Sequence, residues 1–431
     1  MHYYSLSNPN ETTNFAQAVV NGIAPDRGLY FPSEIPRLPA SFFDKIEEMD
    51  IHEMALTAIH AFVGDEIPKE ELERIVKTTL DFEFPVVAVE DQIGSLELFH
   101  GPTLAFKDVG ARFMAQCLGY FNKQNSTQKV TVLVATSGDT GGAVANGFLG
   151  VEGIEVVILY PKGKVSKVQE QQLTTLGQNI TALEVDGVFD DCQDMVKTAF
   201  LDSEITNQRT LTSANSINVA RWLPQMLYYF LAYRQLKHKN KPLVVAVPSG
   251  NFGNICAGMI AQQMGLPIDH FVAATNVNDA VPAYLESGNY QAVKTTPTIS
   301  NAMDVGDPSN FVRIQKIYGN DFENLSQHLS GYRFTDEETR TAMQHIHNSS
   351  GYVADPHGAV GYLGLKKYLE NHPGKYGIFL ETAHPVKFLT TVEETLGTKV
   401  ELPQRIQDLL EKEKQSTPIS NYEDLKRFLL V

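Results

Sequence analysis

Four short runs dense in β-branched and other apolar residues, over 131–136, 155–160, 243–247 and 271–275, each precede a glycine-marked turn and then a stretch with helical spacing. Runs of that length suit strands buried on both faces, and their alternation with helical segments predicts βα units around mostly parallel sheets. The first part of the chain is patterned differently. Up to about residue 85, Glu and Ile/Leu recur at helical spacing, as in EMALTAIHAFVG and KEELERIVKTTL, which predicts a separate, mainly helical N-terminal domain over 1–85. Two α/β regions are expected to follow, a small one over 86–235 and a large one over 236–431, and the tail from about Pro403 reads as charged helix.

Composition changes this picture mainly by exclusion. At 431 residues the chain is long for one core and suggests two or three domains, and its 43% apolar content is ample to bury each. A formal charge of −16 argues against general affinity for nucleic acid or anionic membranes, so an anionic substrate must be drawn into a local cationic pocket. Cys117, Cys192 and Cys256 lie far apart without metal-ligand spacing, which points to buried thiols in a reducing compartment. The segment MHYYSLSNPNETTNF has neither a basic start nor an apolar stretch, and no later run approaches membrane-spanning length. The expected location is the cytoplasm.

Candidate chemistry begins with two similar stretches, ATSGDTGGAVANGF (135–148) and PSGNFGNICAGM (248–259). Each follows a buried-strand pattern, supplies glycines where the backbone must bend closely, and opens a helix whose free N–H groups and positive dipole end favour an anion. Either could equally be a tight βα turn. Neither carries the lysine and Ser/Thr ending of a Walker A sequence, and neither matches GxGxxG, so nucleotide binding ranks below other readings. A third stretch, HGPTLAFKDVGARF, places Lys107 after an apolar triplet. Most lysines sit solvated on surfaces, but a lysine with two anion cradles is what pyridoxal phosphate chemistry uses: an amine for the aldehyde, one cradle for the cofactor phosphate and one for an amino-acid carboxylate.

At this point the chain resembles the threonine synthases, in the tryptophan-synthase-β-like group of pyridoxal phosphate enzymes (fold type II). The resemblance runs through nearly the whole sequence: GLYFPSEIP (28–36), HGPTLAFKDVGARFMAQ (100–116), ATSGDTGGA (135–143), NSINVAR (215–221), PSGNFGN (248–254), SNAMDVGDPSN (300–310), DPHGAVG (355–361) and ETAHPVKF (381–388). It implies two parallel-sheet α/β domains with the helical N-terminal one, and pyridoxal 5′-phosphate as cofactor. By position, Lys107 resembles the Schiff-base lysine. Gly250, Asn251, Phe252, Gly253 and Asn254 resemble the loop that binds the cofactor phosphate, and Gly253 is expected to accept close backbone approach and any positive φ the turn needs. Thr382 resembles the residue facing the pyridine nitrogen. Ser137, Gly138 and Thr140 resemble a loop receiving the substrate carboxylate; Asp139 aligns with a position often occupied by asparagine near the ring's phenolic oxygen. Asn215 and Arg221 resemble groups gripping a substrate phosphate, for which a guanidinium fork is well suited.

Taken without the resemblance, several of these residues have other roles. Thr382 reads as a cap for a helix beginning near Pro385, Asn215 as a turn residue, and Arg221, beside Trp222, as a stacked surface arginine. His100, His357 and His384 lack metal-site spacing and read as satisfied polar histidines, with no metal expected. Glu381 stands where the family favours a small residue; strand alternation turns it away from Thr382.

The activity implied is that of a carbon–oxygen lyase acting on phosphates: O-phospho-L-homoserine and water to L-threonine and phosphate, the last step of threonine biosynthesis, in a monomer or homodimer. Two alternatives share these residues, a phospho-lyase releasing a keto acid and ammonia, and a non-catalytic homologue that binds a phosphorylated amino acid.

Overall fold

In a computed structural model, which describes residues 1–124 and 129–431, three sheets organise the chain. The first is small and antiparallel: β1 (His2–Ser5) lies between β2 (Thr12–Asn14) and β3 (Tyr30–Pro32). It packs with the helices Phe15–Asn21, Ile51–Val63 and Lys69–Thr79, whose buried faces carry the apolar residues seen at helical spacing.

The other two sheets are built from β4 (Val86–Glu90), β5 (Ile93–Glu97), β6 (Val130–Ala135), β7 (Ile154–Pro161), β8 (Ile180–Val185), β9 (Thr210–Ser213), β10 (Leu243–Pro248), β11 (His270–Thr275), β12 (Leu329–Arg333), β13 (Tyr376–Glu381) and β14 (Thr417–Ile419). The larger sheet runs β12-β11-β10-β13-β5-β4 and the smaller β14-β8-β7-β6-β9. Every pair in them is parallel except β4 with β5. The four runs singled out by pattern are β6, β7, β10 and β11; β6 starts at Val130, just ahead of the expected span. Every residue of β6, β10 and β11 is buried, as a sheet covered on both faces requires.

Sheet membership crosses the boundaries expected from sequence. β4 and β5, at the start of 86–235, pair into the larger sheet, and β14, near the end of 236–431, pairs with β8 in the smaller one. The tail is therefore not simply helix: after Gln404–Leu410 it forms β14 and then the helix Tyr422–Leu429, whose Leu425 and Leu429 enter the core beneath the smaller sheet. Cys117, Cys192 and Cys256 are free and buried. No described helix is long and apolar enough to cross a membrane.

Candidate active site

Ligands of open parallel sheets gather at the carboxyl ends of the strands, and five loops leave such ends here: from β5 towards Lys107, from β6 to Ser137–Gly138, from β9 to Asn215, from β10 to Gly250–Phe252 and from β13 to Thr382. Hydrogen bonds tie them together. Phe106 N–H donates to Thr382 O at 2.9 Å, His384 N–H donates to Leu104 O at 3.0 Å, and Ala105 bridges Ala383. Leu104 has a φ of 61°, unusual for a branched side chain, and is held there by complete burial and by these bonds.

Lys107 is the first residue of the helix Lys107–Gln124. The preceding turn is fixed by Asp108, whose carboxylate accepts from Thr103 N–H at 2.9 Å and Thr103 Oγ1 at 2.5 Å. Lys107 is half-buried, and the pKa of its amine is lowered to about 8. Burial is the main cause; Asp139 opposes it, while the charges of Lys387 and Arg221 reinforce it. The positive end of its own helix acts in the same direction as burial.

Asp139 opens the helix Asp139–Phe148 and is buried. Burial alone would raise its pKa, but Lys387 and then Lys107 outweigh this and hold the carboxyl below its usual range. Gln169 Nε2 donates to Asp139 Oδ1 at 2.9 Å, and Lys387 Nζ lies 2.8 Å from the same oxygen. Gly138 has a φ of 141°, and a Cβ there would come within 2.4 Å of the Gln169 side chain, so this loop needs glycine. Thr136 Oγ1 accepts from the N–H groups of Gly138 and Gly141 at 3.0 and 2.9 Å. These two bonds hold the turn in shape.

The second cradle opens the helix Gly253–Gln263. The left-handed residue is Phe252, with a φ of 60°, and not Gly253 as expected. Burial of the Phe252 ring, edge-on to Phe311 at 5.9 Å, holds that conformation. Within the protein the tighter packing is at Gly250, where a Cβ would lie 2.7 Å from Ala302 O; at Gly253 the nearest atom is Asn310 Nδ2 at 3.3 Å. Asn251 joins this loop to the one after β9: its Nδ2 donates to Ser216 Oγ at 2.8 Å, and its Oδ1 accepts from Ser309 N–H at 2.7 Å. The Asn254 side chain turns inward and donates to Pro248 O at 3.1 Å.

Asn215 and Arg221 flank the helix cap Asn218. Arg221 is buried, not a stacked surface residue; Arg313 is the cation over Trp222, 4.6 Å from its ring centre. Burial lowers the Arg221 pKa to about 10, its Nη1 donates to Ala214 O, and its buried Nε has no protein partner. An unpaired buried donor of this kind is costly unless something completes it. Thr382 is buried beside the Lys107 turn, and the cap of the Pro385–Phe388 turn is His384, whose Nδ1 accepts from Val386 N–H at 3.2 Å. Glu381 faces away, accepting from Asp355 N–H at 2.6 Å. Burial, with the Asp355 charge added, pushes its pKa well up. His100 and His357 pair with Glu97 and Asp355, each at 2.7 Å.

Sequence reasoning missed the supports of these groups. Lys387, Gln169 and Gln172 brace the Lys107 side, while Asn310 and Arg313 brace the second cradle; Arg313 Nη2 donates to Tyr30 O and Ile217 O at 2.8 and 2.7 Å. Lys387 stood in the quoted ETAHPVKF stretch, where a charge between Val386 and Phe388 was the available signal.

Comparison with known proteins places the whole chain among relatives of one family. The family described as pyridoxal-phosphate dependent enzyme matches residues 95–380, and the threonine synthase N-terminal and C-terminal families match 2–80 and 358–429. The chain is 46% identical over 407 residues to threonine synthase of Escherichia coli K12, covering 94% of each protein. A crystal structure of the Escherichia coli threonine synthase superposes with a TM-score of 0.92, at 43% identity over 100% of this chain and 99% of that one. The pyridoxal-phosphate-bound threonine synthase of Brucella melitensis gives 0.93 at 34% identity, again over 100% and 99%.

Proposed function

Because this chain belongs to the threonine synthase family of pyridoxal-phosphate-dependent enzymes, we propose that it converts O-phospho-L-homoserine and water to L-threonine and inorganic phosphate, with Lys107 as the amine that holds the cofactor and then moves protons. The observation that carries this reading is where Lys107 stands: its turn is bonded to Thr382 O through Phe106 N–H at 2.9 Å, and its amine, lowered to about 8, feels both Asp139 at the first cradle and Arg221. At pH 7 such an amine is about one-tenth neutral, against well under one in a thousand for an ordinary lysine.

The residues fit the cofactor. Lys107 offers the amine, the backbone at Gly250 is packed too closely for any side chain, and Gly253 opens a helix whose N-terminus favours a phosphate. When bound, pyridoxal phosphate supplies an aldehyde that captures amines and a ring that spreads negative charge from the carbon beside the substrate's amino group.

The chain's own groups divide the remaining work. Asn251 and the backbone from Gly250 to Asn254 would hold the cofactor phosphate, and the Thr382 hydroxyl would offer the ring an uncharged partner. Ser137, Gly138 and Thr140 orient the substrate carboxylate, while Asn215 and Arg221 hold its phosphate, whose oxygens complete the unpaired Arg221 Nε. Lys107, once neutral and released, removes the proton next to the amino group. In the net change phosphate leaves Cγ, Cγ gains a proton, and Cβ exchanges a proton for the hydroxyl of water. Protein atoms around Lys107 and Asp139 keep bulk water from these steps until that addition.

Borohydride reduction tests the reading. It should fix the cofactor on the peptide containing Lys107 and stop phosphate release from O-phospho-L-homoserine. Modification of a different lysine, or undiminished release, would overturn it.

A further inference from the structure

Lys387 lies outside the roles assigned above, yet its side chain is completely buried at the edge of the site. Its Nζ donates to Thr103 O at 2.8 Å and to Gln172 Oε1 at 2.9 Å, and lies 2.8 Å from Asp139 Oδ1. Three acceptors thus occupy an ammonium's three donors. They come from three places: the turn that leads into Lys107, the helix Lys167–Thr174, and the start of the helix Asp139–Phe148. Lys387 itself follows β13 of the larger sheet, so its bonds to Asp139 and Gln172 cross to the elements of the smaller one.

Asp139 and Lys387 act on Lys107 with opposite sign, the carboxylate favouring the ammonium form and the lysine disfavouring it. Arg221 adds a further positive charge there. A lone buried carboxylate near Lys107 would keep the amine protonated and unreactive. A carboxylate whose Oδ1 is already bonded to a buried lysine presents little net charge to its neighbours.

On the reading that Lys107 carries the cofactor, we propose that Lys387 is a positioning residue that neutralises Asp139, so that a carboxylate can stand beside Lys107 without holding it as an ammonium. Breaking a buried pair from one side leaves the other charge uncompensated, whereas removing both is far milder. The role is therefore separable from simple packing: Lys387→Met should be severe, and Asp139→Asn added to it should repair the damage.

The test uses holoenzyme and reads the pH midpoint of the absorbance of the cofactor held on Lys107. Lys387→Met should raise that midpoint by about one unit or more, the size expected from an uncompensated charge close by. Asp139→Asn/Lys387→Met should return it to near the wild-type value and recover much of the lost turnover. A Lys387→Met midpoint equal to wild type would overturn the inference. If Lys387→Met does not fold, the double variant decides: a folded, cofactor-bearing protein with a near-normal midpoint supports charge compensation, and a displaced midpoint or a failure to fold contradicts it. Borohydride mapping of wild type keeps the two readings apart. Cofactor fixed at Lys107 with an unmoved Lys387→Met midpoint defeats only the role of Lys387, whereas cofactor fixed at a different lysine defeats the underlying reading as well.

Discussion

The backbone N–H of Phe106 donates to the carbonyl oxygen of Thr382 at 2.9 Å, which sets Lys107 in register with the residue expected to face the cofactor ring. Two loops from adjacent strands, β5 and β13, thereby act as one piece. Lys107→Ala leaves this backbone bond in place. It should keep the fold and melting behaviour but lower turnover by at least about 10³-fold, since it removes both the covalent anchor and a proton carrier. Circular dichroism and steady-state kinetics on the purified variant check the two halves of this expectation.

The lowered pKa of Lys107 sets a pH dependence. Capture of pyridoxal phosphate needs the neutral amine, whose fraction grows as pH rises, so the capture rate of cofactor-free protein should climb about tenfold per unit and level off near pH 8. Stopped-flow absorbance would record it. A rate still climbing at pH 10 would mean that Lys107 behaves as an ordinary solvated lysine.

Arg221 separates substrate recognition from cofactor binding. Arg221→Ala should retain the cofactor and its colour, yet lower kcat/KM for O-phospho-L-homoserine by a factor of about 30 to several thousand, the range for removing one partner of a desolvated charge pair. Arg221→Lys should recover only part of this, since an ammonium lacks the fork. Binding of serine, which has no phosphate, should be equal in wild type and variant. Equal impairment of both ligands would make Arg221 a structural residue.

The two glycines of the second cradle should respond differently. At Gly250 a methyl group would collide with the Ala302 carbonyl at 2.7 Å, so Gly250→Ala should weaken cofactor retention strongly on dialysis. Gly253→Ala meets its nearest neighbour at 3.3 Å and should be mild, while the bulkier Gly253→Val should weaken retention more. Gly253→Ala losing more cofactor than Gly250→Ala would show that the loop is placed wrongly.

Glu381 gives a stability test with a definite sign. Its folded pKa is raised, so above the ordinary carboxylate range the unfolded state sheds a proton that the folded state keeps, and stability falls as pH rises. Glu381→Gln cannot ionise, keeps an oxygen that accepts from the Asp355 N–H, and should gain melting temperature relative to wild type at pH 8 more than at pH 5. Scanning calorimetry at the two pH values measures the difference.

What the sequence made legible was local. The apolar runs that became β6, β7, β10 and β11, and the glycine turns after β6 and β10, needed only neighbouring residues to be read. β5 and β13 were harder, because IGSLE and YGIFLE mix glycine and acid into short strands whose burial comes from a partner almost three hundred residues away. The three-residue β14 is defined by β8 alone. Lys387 was hidden for the same reason: its acceptors at positions 103, 139 and 172 meet only in the fold. Phe252 holds the left-handed turn because its ring is buried, which no glycine pattern could reveal.

Product identity tests the central claim most directly. Purified holoenzyme supplied with O-phospho-L-homoserine should release L-threonine and inorganic phosphate in equal amounts, measured together by chiral amino-acid analysis and phosphate assay. Phosphate accompanied by a keto acid and ammonia in place of threonine, or no turnover of a fully cofactor-loaded protein, would contradict it.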